Sequence, residues 1–361
     1  MRTVGTVAMV TLLFAAAASA KTRAPFVAPF ERVVEVASTV PSIGDVNPYG
    51  VAVVPRSVGK LVRGHVLVSN FNDPGNDQGT GTTIVDIAPD GTQALFAQIS
   101  AGALPGPCPG GIGLTTALVV LRRGVVVVGS LPTTNGMTAT AQAGCLLVLD
   151  ATGTVVATIS GDPIDGPWDM TAADFGGKAL LFVTNVLNGP VATSDSTTVI
   201  DEGTVVRISL DLAGDVPTVG EETVIGSGFG ERSDPMALVV GPTGLGLGGD
   251  GVLYVADTIP NRIAAIGDAL RRTTSAGTGD DFSVGGAINQ PLGLAVAPDG
   301  DVLVANASDG NLVDVTQAGT QVVRAVNPAG GGSLFGLALA PQHGGVYLVD
   351  DAGNALDLLG R

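Results

Sequence analysis

Histidine and cysteine are almost missing: the chain of 361 residues has two of each. Two histidines cannot build the three- or four-ligand imidazole centres of catalytic zinc sites, and two cysteines cannot form a disulfide framework. Charge is sparse, at 14% of residues, and mostly of one sign: 17 Lys and Arg against 33 Asp and Glu, a net −16. That balance argues against nucleic acid and anionic membranes as partners. Aromatic residues make up only 4%, yet 45% of residues are apolar, too many for a disordered chain. What is plentiful is glycine (53) and proline (22), together about one residue in five, against about one in eight on average. Such a composition calls for many short strands joined by tight turns.

Residues 1–20 read as an export signal: Arg2, an apolar stretch through Val10, Leu12, Leu13 and Phe14, then Ala18-Ser19-Ala20 as a small-x-small cleavage site. Lys21 and Arg23 interrupt before the ~20 apolar residues that a membrane span needs. The processed chain is expected to begin at Lys21 and to be periplasmic or extracellular, with residues 21–361 as one domain. In an oxidising compartment Cys108 and Cys145 are expected to be bridged, the alternative being two buried small hydrophobes.

A unit recurs six times: a turn, a short apolar strand, a Gly-rich turn, a second apolar strand ending on a small polar residue, then two more strands. The copies open near residues 48, 111, 167, 235, 291 and 334, as in Pro48-Tyr49-Gly50-Val51, Pro235-Met236-Ala237-Leu238 and Pro291-Leu292-Gly293-Leu294. Second strands such as Val125 to Val128 and Val302-Leu303-Val304 are continuous apolar runs, the mark of sheets covered on both faces. Turns such as Pro298-Asp299-Gly300 supply the backbone conformations that hairpins need. The expected fold is all-β, a six-bladed β-propeller of four-stranded blades. Only 26 residues follow Phe335, enough for three strands, so the fourth strand of the last blade is expected from Glu31-Arg32-Val33-Val34-Glu35-Val36 near the N-terminus.

Leu253-Tyr254-Val255-Ala256-Asp257-Thr258 followed by Asn261-Arg262-Ile263 resembles the NHL-repeat signature, although Pro260 stands where that family commonly has asparagine. The resemblance is close in one blade and architectural elsewhere. It implies a propeller whose relatives range from protein- or RNA-binding scaffolds to lactonases and lyases, and so no particular reaction. In architecture the chain also resembles regucalcin and gluconolactonase-like propellers, in which Asn or Asp side chains at the strand openings hold a central divalent ion. The corresponding positions here are Tyr49, Ile112, Trp168, Met236, Leu292 and Phe335, all apolar or aromatic, which speaks against that metal site. Either they plug the channel or they form an apolar pocket mouth for an unknown small molecule, glycan or protein.

A second ring ends the second strands: Asn70, Ser130, Asn185, Asp257, Asn306 and Asp350. Such residues cap turns through backbone amides, and the functional alternative is a polar collar around the channel mouth. The loop from Asn70 to Asp77 concentrates oxygens, so Asn72, Asp73 and Asp77 are candidates for calcium, against ordinary loop composition as the alternative. No other cofactor is expected. His65 and His343 belong away from the face on which both rings lie, and nothing in the sequence pairs Asp169, Asp257 or Asp350 for acid–base work. The expected function is binding or interaction through that face. The alternative is a lactonase-like hydrolase or lyase of the metal-assisted propeller class.

Overall fold

Apolar strands that need cover on both faces obtain it by stacking blades around an axis. The structure, a computed structural model, describes residues 23–187, 197–327 and 331–361. The expected signal segment and the processed start at Lys21 lie outside the described residues. Six antiparallel sheets form the ring, and 3₁₀ turns such as Ala101–Ala103 are the helical content. The innermost strands are Val46–Val53, Leu114–Val120, Pro167–Asp174, Pro242–Leu247, Pro291–Val296 and Leu334–Leu339.

Six clusters of buried side chains make the core, one at each blade interface. Between blades one and two, for example, Leu67 and Ile84 meet Leu118, Val128 and Leu147. Each wedge removes from water the apolar runs seen in the sequence, at about 25 cal/mol per Å² of apolar surface. Ser and Thr hydroxyls join the blades around the axis. Ser69 accepts from Gly50 N (3.0 Å) and donates to the Thr115 carbonyl of the next blade (2.9 Å). Thr184 repeats this between Asp169 N (2.9 Å) and the Thr243 carbonyl (3.0 Å).

The last blade closes as expected. Arg32–Ser38 pairs with Ala355–Gly360 from Arg32↔Gly360 to Ser38↔Ala355, so both ends of the described chain share one sheet. Ahead of that strand, Val27 and Phe30 are buried with Leu303, Leu312 and Leu348 between blades five and six. Val27 N donates to a buried Asp314 carboxylate (3.0 Å).

Two openings differ from the sequence reading. The segment at Pro235 does not start blade four. Leu238–Val240 turns back along the end of the long strand Thr218–Asp234, with Asp234↔Leu238, and the innermost strand is Pro242–Leu247, paired Pro242↔Asp257. Both stretches carry Pro-x-small-Leu, but only Pro242-Thr243-Gly244-Leu245 has a glycine where neighbouring backbones meet. A Cβ at Gly244 would overlap the Leu292 carbonyl of the next blade. In blade two the strand starts at Leu114, paired with Ser130, so Thr115 rather than Ile112 matches Tyr49.

Candidate functional site: the central channel

The pole of the ring on the side where the innermost strands begin is filled. Tyr49 stacks on Phe71 (4.5 Å between ring centroids) and on Phe335 (4.1 Å), and Trp168 meets both Tyr49 and Phe71 edge-on (5.9 and 5.7 Å). Leu238 and Val239 are buried in the same cluster, and Leu292 packs against it. Met236 does not belong there. It is 86% exposed on the connection ahead of blade four, because the true opening comes seven residues later.

Below this plug the axis opens into a cavity of about 310 Å³. It is lined by the lower halves of the innermost strands and reaches their ends at Leu121, Asp174, Leu247 and Leu339. Its mouth therefore lies on the face opposite the two rings. Every innermost strand has a sheet partner on one side only, so its second row of N–H and C=O groups faces the channel and must be met by water or by a ligand. Side chains such as Leu118, Met170 and Leu245 supply apolar wall between these groups.

Asp169 stands at the blind end. It occupies the position that is Gly50, Gly244, Gly293 and Gly336 in four other blades, and it borders both the channel and a small void of about 20 Å³ beneath Trp168 and Phe335. Its Oδ1 accepts from Met170 N (2.7 Å). Burial pushes the Asp169 carboxyl up to about 8, although the amides of Met170 and Leu245 favour the anion. The other ionisable side chain in the channel wall is Asp174, near the mouth. Asp174 accepts from Arg122 N (2.6 Å), and its carboxylate lies 3.8 Å from the Arg122 guanidinium. Nothing basic lines the blind end, and burial favours the neutral acid of Asp169, the form that donates a hydrogen bond to whatever enters. The sequence offered one sign of it, an aspartate where the repeat has glycine.

The second ring is tied into turns. Asn70 Nδ2 donates to the Thr39 carbonyl (3.0 Å) and to Thr83 Oγ1 (3.1 Å), and Ser130 Oγ donates to the Gly111 carbonyl (2.9 Å). Asn306 bridges the Ala287 carbonyl and the Asn289 amide, and Asp350 accepts from Asn327 (2.9 Å). Asn185 is fully buried at the end of Lys178–Asn185. Asp257 pairs with Arg262 (2.8 Å), which also holds Asp281 (2.5 Å), so the NHL-like residues of blade four act as an ionic clamp across its strands.

In the loop after Asn70, Asn72 Nδ2 donates to Asn76 Oδ1 (2.7 Å), and Asp73 Oδ1 accepts from the amides of Gly75 (2.9 Å) and Asp77 (3.2 Å). His65 Nδ1 lies 3.0 Å from Asp86, away from the channel lining, and His343 is exposed in a hairpin. Among the described residues no three His, Cys, Asp or Glu come together as a metal site. The residues around the pole, Tyr49, Thr115, Trp168, Thr243, Leu292 and Phe335, do not offer the several oxygen ligands that a hard cation takes. Cys108 and Cys145 are bonded to each other.

No protein-family model and no curated protein matches the chain, and the NHL resemblance is not confirmed. Solved structures match over nearly the whole length. A gluconolactonase from Xanthomonas campestris is 14% identical, with a TM-score of 0.58, covering 91% of this chain and 89% of that one. A calcium-binding regucalcin from Agrobacterium tumefaciens is 14% identical, with a TM-score of 0.54 and coverage of 92% and 96%. Virginiamycin B lyase from Staphylococcus aureus is 14% identical, with a TM-score of 0.51 and coverage of 91% and 99%. At this identity the likeness establishes the six-bladed propeller fold and nothing finer.

Proposed function

We propose that the protein binds a small carbonyl compound in its central channel, entered from the face opposite the aromatic plug. The observation that carries this reading is Asp169: one carboxylic acid at the blind end of a cavity of about 310 Å³, with no cation beside it. That volume falls at the lower end of the range of small-molecule sites. A neutral acid in such a place donates to a ligand oxygen, and the unpaired edges of the innermost strands supply further amides. The test is calorimetry with medium-chain ketones, lactones and amides. Binding at pH 6–7 is expected to weaken above pH 8 as Asp169 ionises. D169V is expected to lose about two- to tenfold, the worth of one net hydrogen bond. Binding that is unchanged in D169V overturns the assignment.

A second reading, hydrolase or lyase, is supported by the same residue. A carboxyl with a value near neutrality suits general acid catalysis, and solved propellers of this shape include proteins named for such reactions. Turnover of a lactone that is lost in D169N and unaffected by chelation is the outcome that selects it over binding alone. Compatible with export are the disulfide and the lack, among the described residues, of a helix long and apolar enough to cross a membrane. A periplasmic or extracellular site is our reading of the N-terminal pattern.

A further inference from the structure

Two residues beyond the point where each innermost strand pairs with the end of the second strand, four blades carry Gly50, Gly244, Gly293 and Gly336. The other two carry Thr116 and Asp169, on neighbouring blades. Both residues border the channel and the small void beneath Trp168, and both keep part of their surface open. They are also joined. Thr116 Oγ1 donates to the Trp168 carbonyl, in the peptide unit that leads into Asp169. A hydroxyl has a single proton, and here that bond uses it, so Thr116 offers only lone pairs to the channel. The Asp169 carboxyl, kept neutral by burial, offers a proton. The blind end therefore sets one acceptor beside one donor.

We propose that the channel takes an uncharged lactam, whose carbonyl accepts from Asp169 and whose N–H donates to Thr116 Oγ1. This rests on the channel reading above and narrows it from carbonyl compounds to cis amides. A ketone or a lactone meets the donor but leaves the Thr116 lone pairs without a proton once it has displaced water. The two partners stand on adjoining strands and are both reached from the axis. An amide turns N–H and C=O to one side only when cis, a form that costs an open-chain amide about 2.5–4 kcal/mol and that a small ring imposes. The rest of the wall agrees. It is mainly polar, because the innermost strands turn unpaired N–H and C=O groups inward, and an amide is matched to both. It holds no Lys, Arg or His, and Asp174 stands near the mouth, so a carboxylate on the ligand would find no cation there.

The experiment compares ε-caprolactam, cycloheptanone and N-methyl-ε-caprolactam by calorimetry at pH 6 on the wild type, T116V, T116S and D169V, with melting curves to check each fold. The quantity read is the ratio of the ketone Kd to the lactam Kd. Comparing it between proteins cancels the different cost of desolvating the two probes. The ratio is expected to be about two- to tenfold larger in the wild type than in T116V, the worth of one net hydrogen bond, and to be kept in T116S. N-methyl-ε-caprolactam has no N–H, and its affinity relative to the ketone is expected to be the same in the wild type and T116V. N-methylation removes the contact without touching the protein, so the test survives a T116V that does not fold. A ratio that T116V leaves unchanged, or an N-methyl compound as tight on the wild type as caprolactam, overturns the lactam assignment. The channel still stands in that case if D169V weakens the probes. If no probe binds, or D169V binds all three as the wild type does, the channel reading falls and the lactam with it.

Discussion

The Phe335 and Tyr49 rings stack at 4.1 Å across the seam where the last blade meets the first. The stack joins residues 286 positions apart at the pole, with Phe71 on the other side of Tyr49. It is thus a ring-closing contact as well as a plug. Phe335→Ala is expected to cost about 3–5 kcal/mol, the usual range for a buried phenylalanine left as a cavity. Urea unfolding measures it. A cost under about 1 kcal/mol means that the pole collapses freely and is not the clamp drawn here.

Asp169 makes stability depend on pH in a definite direction. Its folded value, about 8, lies above the ordinary carboxyl value of 3.8. The folded state holds a proton that the unfolded state has released, so the contribution is fully present below pH 4 and is lost as pH rises through 8. Asp314, Asp351 and Asp357 are raised only to about 6, by burial first and by neighbouring aspartates or Glu35 next. The other groups are common to the wild type and D169N, so the difference between the two from pH 6 to 8 isolates Asp169. Asn at this position keeps an oxygen for Met170 N and cannot ionise. D169N is expected to exceed the wild type in melting temperature by a margin that grows from pH 6 to pH 8. Parallel curves through that window contradict the shift.

Close approach at the axis predicts a contrast between two glycines. At Gly293 an added Cβ would overlap the Phe335 carbonyl oxygen of the next blade, whereas Gly249 faces open space. Gly293→Ala is expected to destabilise by about 1–3 kcal/mol, as overpacking of a tight core does. Gly249→Ala should stay within about 0.5 kcal/mol of the wild type. Denaturant midpoints of the two variants decide it.

The glycine rule also explains what could be read from the sequence. Gly50, Gly293 and Gly336 recur because backbones meet there, and the repeat and the blade number followed from such marks, whereas the closing strand, expected over residues 31–36 and found at Arg32–Ser38, followed from the 26 residues left after Phe335. Blade four was misplaced because Pro235-Met236-Ala237-Leu238 imitates the opening in apolar pattern, and pattern alone does not report which stretch lies at the axis. Asp169 was visible as an acid but not as a site. Its meaning comes from burial and from a plug built by four aromatic residues, of which Phe71 lies outside the openings altogether. The side on which the channel opens is a property of how those rings stack.

The disulfide joins Cys108, on the approach to blade two, with Cys145, the first residue of the strand Cys145–Leu149. The sequence separation is 37. Closing a loop of that size restricts the unfolded chain by about 3–4 kcal/mol in the chain-entropy model. The double variant C108S/C145S should lose about that much, read from denaturant unfolding with and without reductant. Wild type in reductant should approach the variant. A reductant-insensitive difference would place the effect in the packing of Cys145, which is fully buried, rather than in the bond.

The closing strand makes the sharpest test of the architecture. Arg32–Ser38 covers the edge of Ala355–Gly360, and Val27 and Phe30 fill the wedge between blades five and six. A chain lacking residues 23–38 keeps three strands in its last blade and exposes a full ladder of backbone donors and acceptors, which is a template for pairing with another chain. It is expected to self-associate in light scattering at micromolar concentration. A peptide of residues 23–38 added in trans should restore the monomer, because it brings back both the strand and the two buried anchors. The same peptide with Phe30→Ala should bind at least about a hundredfold more weakly, which is about 2.7 kcal/mol and below the usual cost of emptying a phenylalanine site. If the truncated chain stays monomeric and as stable as the full one, the ring does not depend on its N-terminal strand for closure.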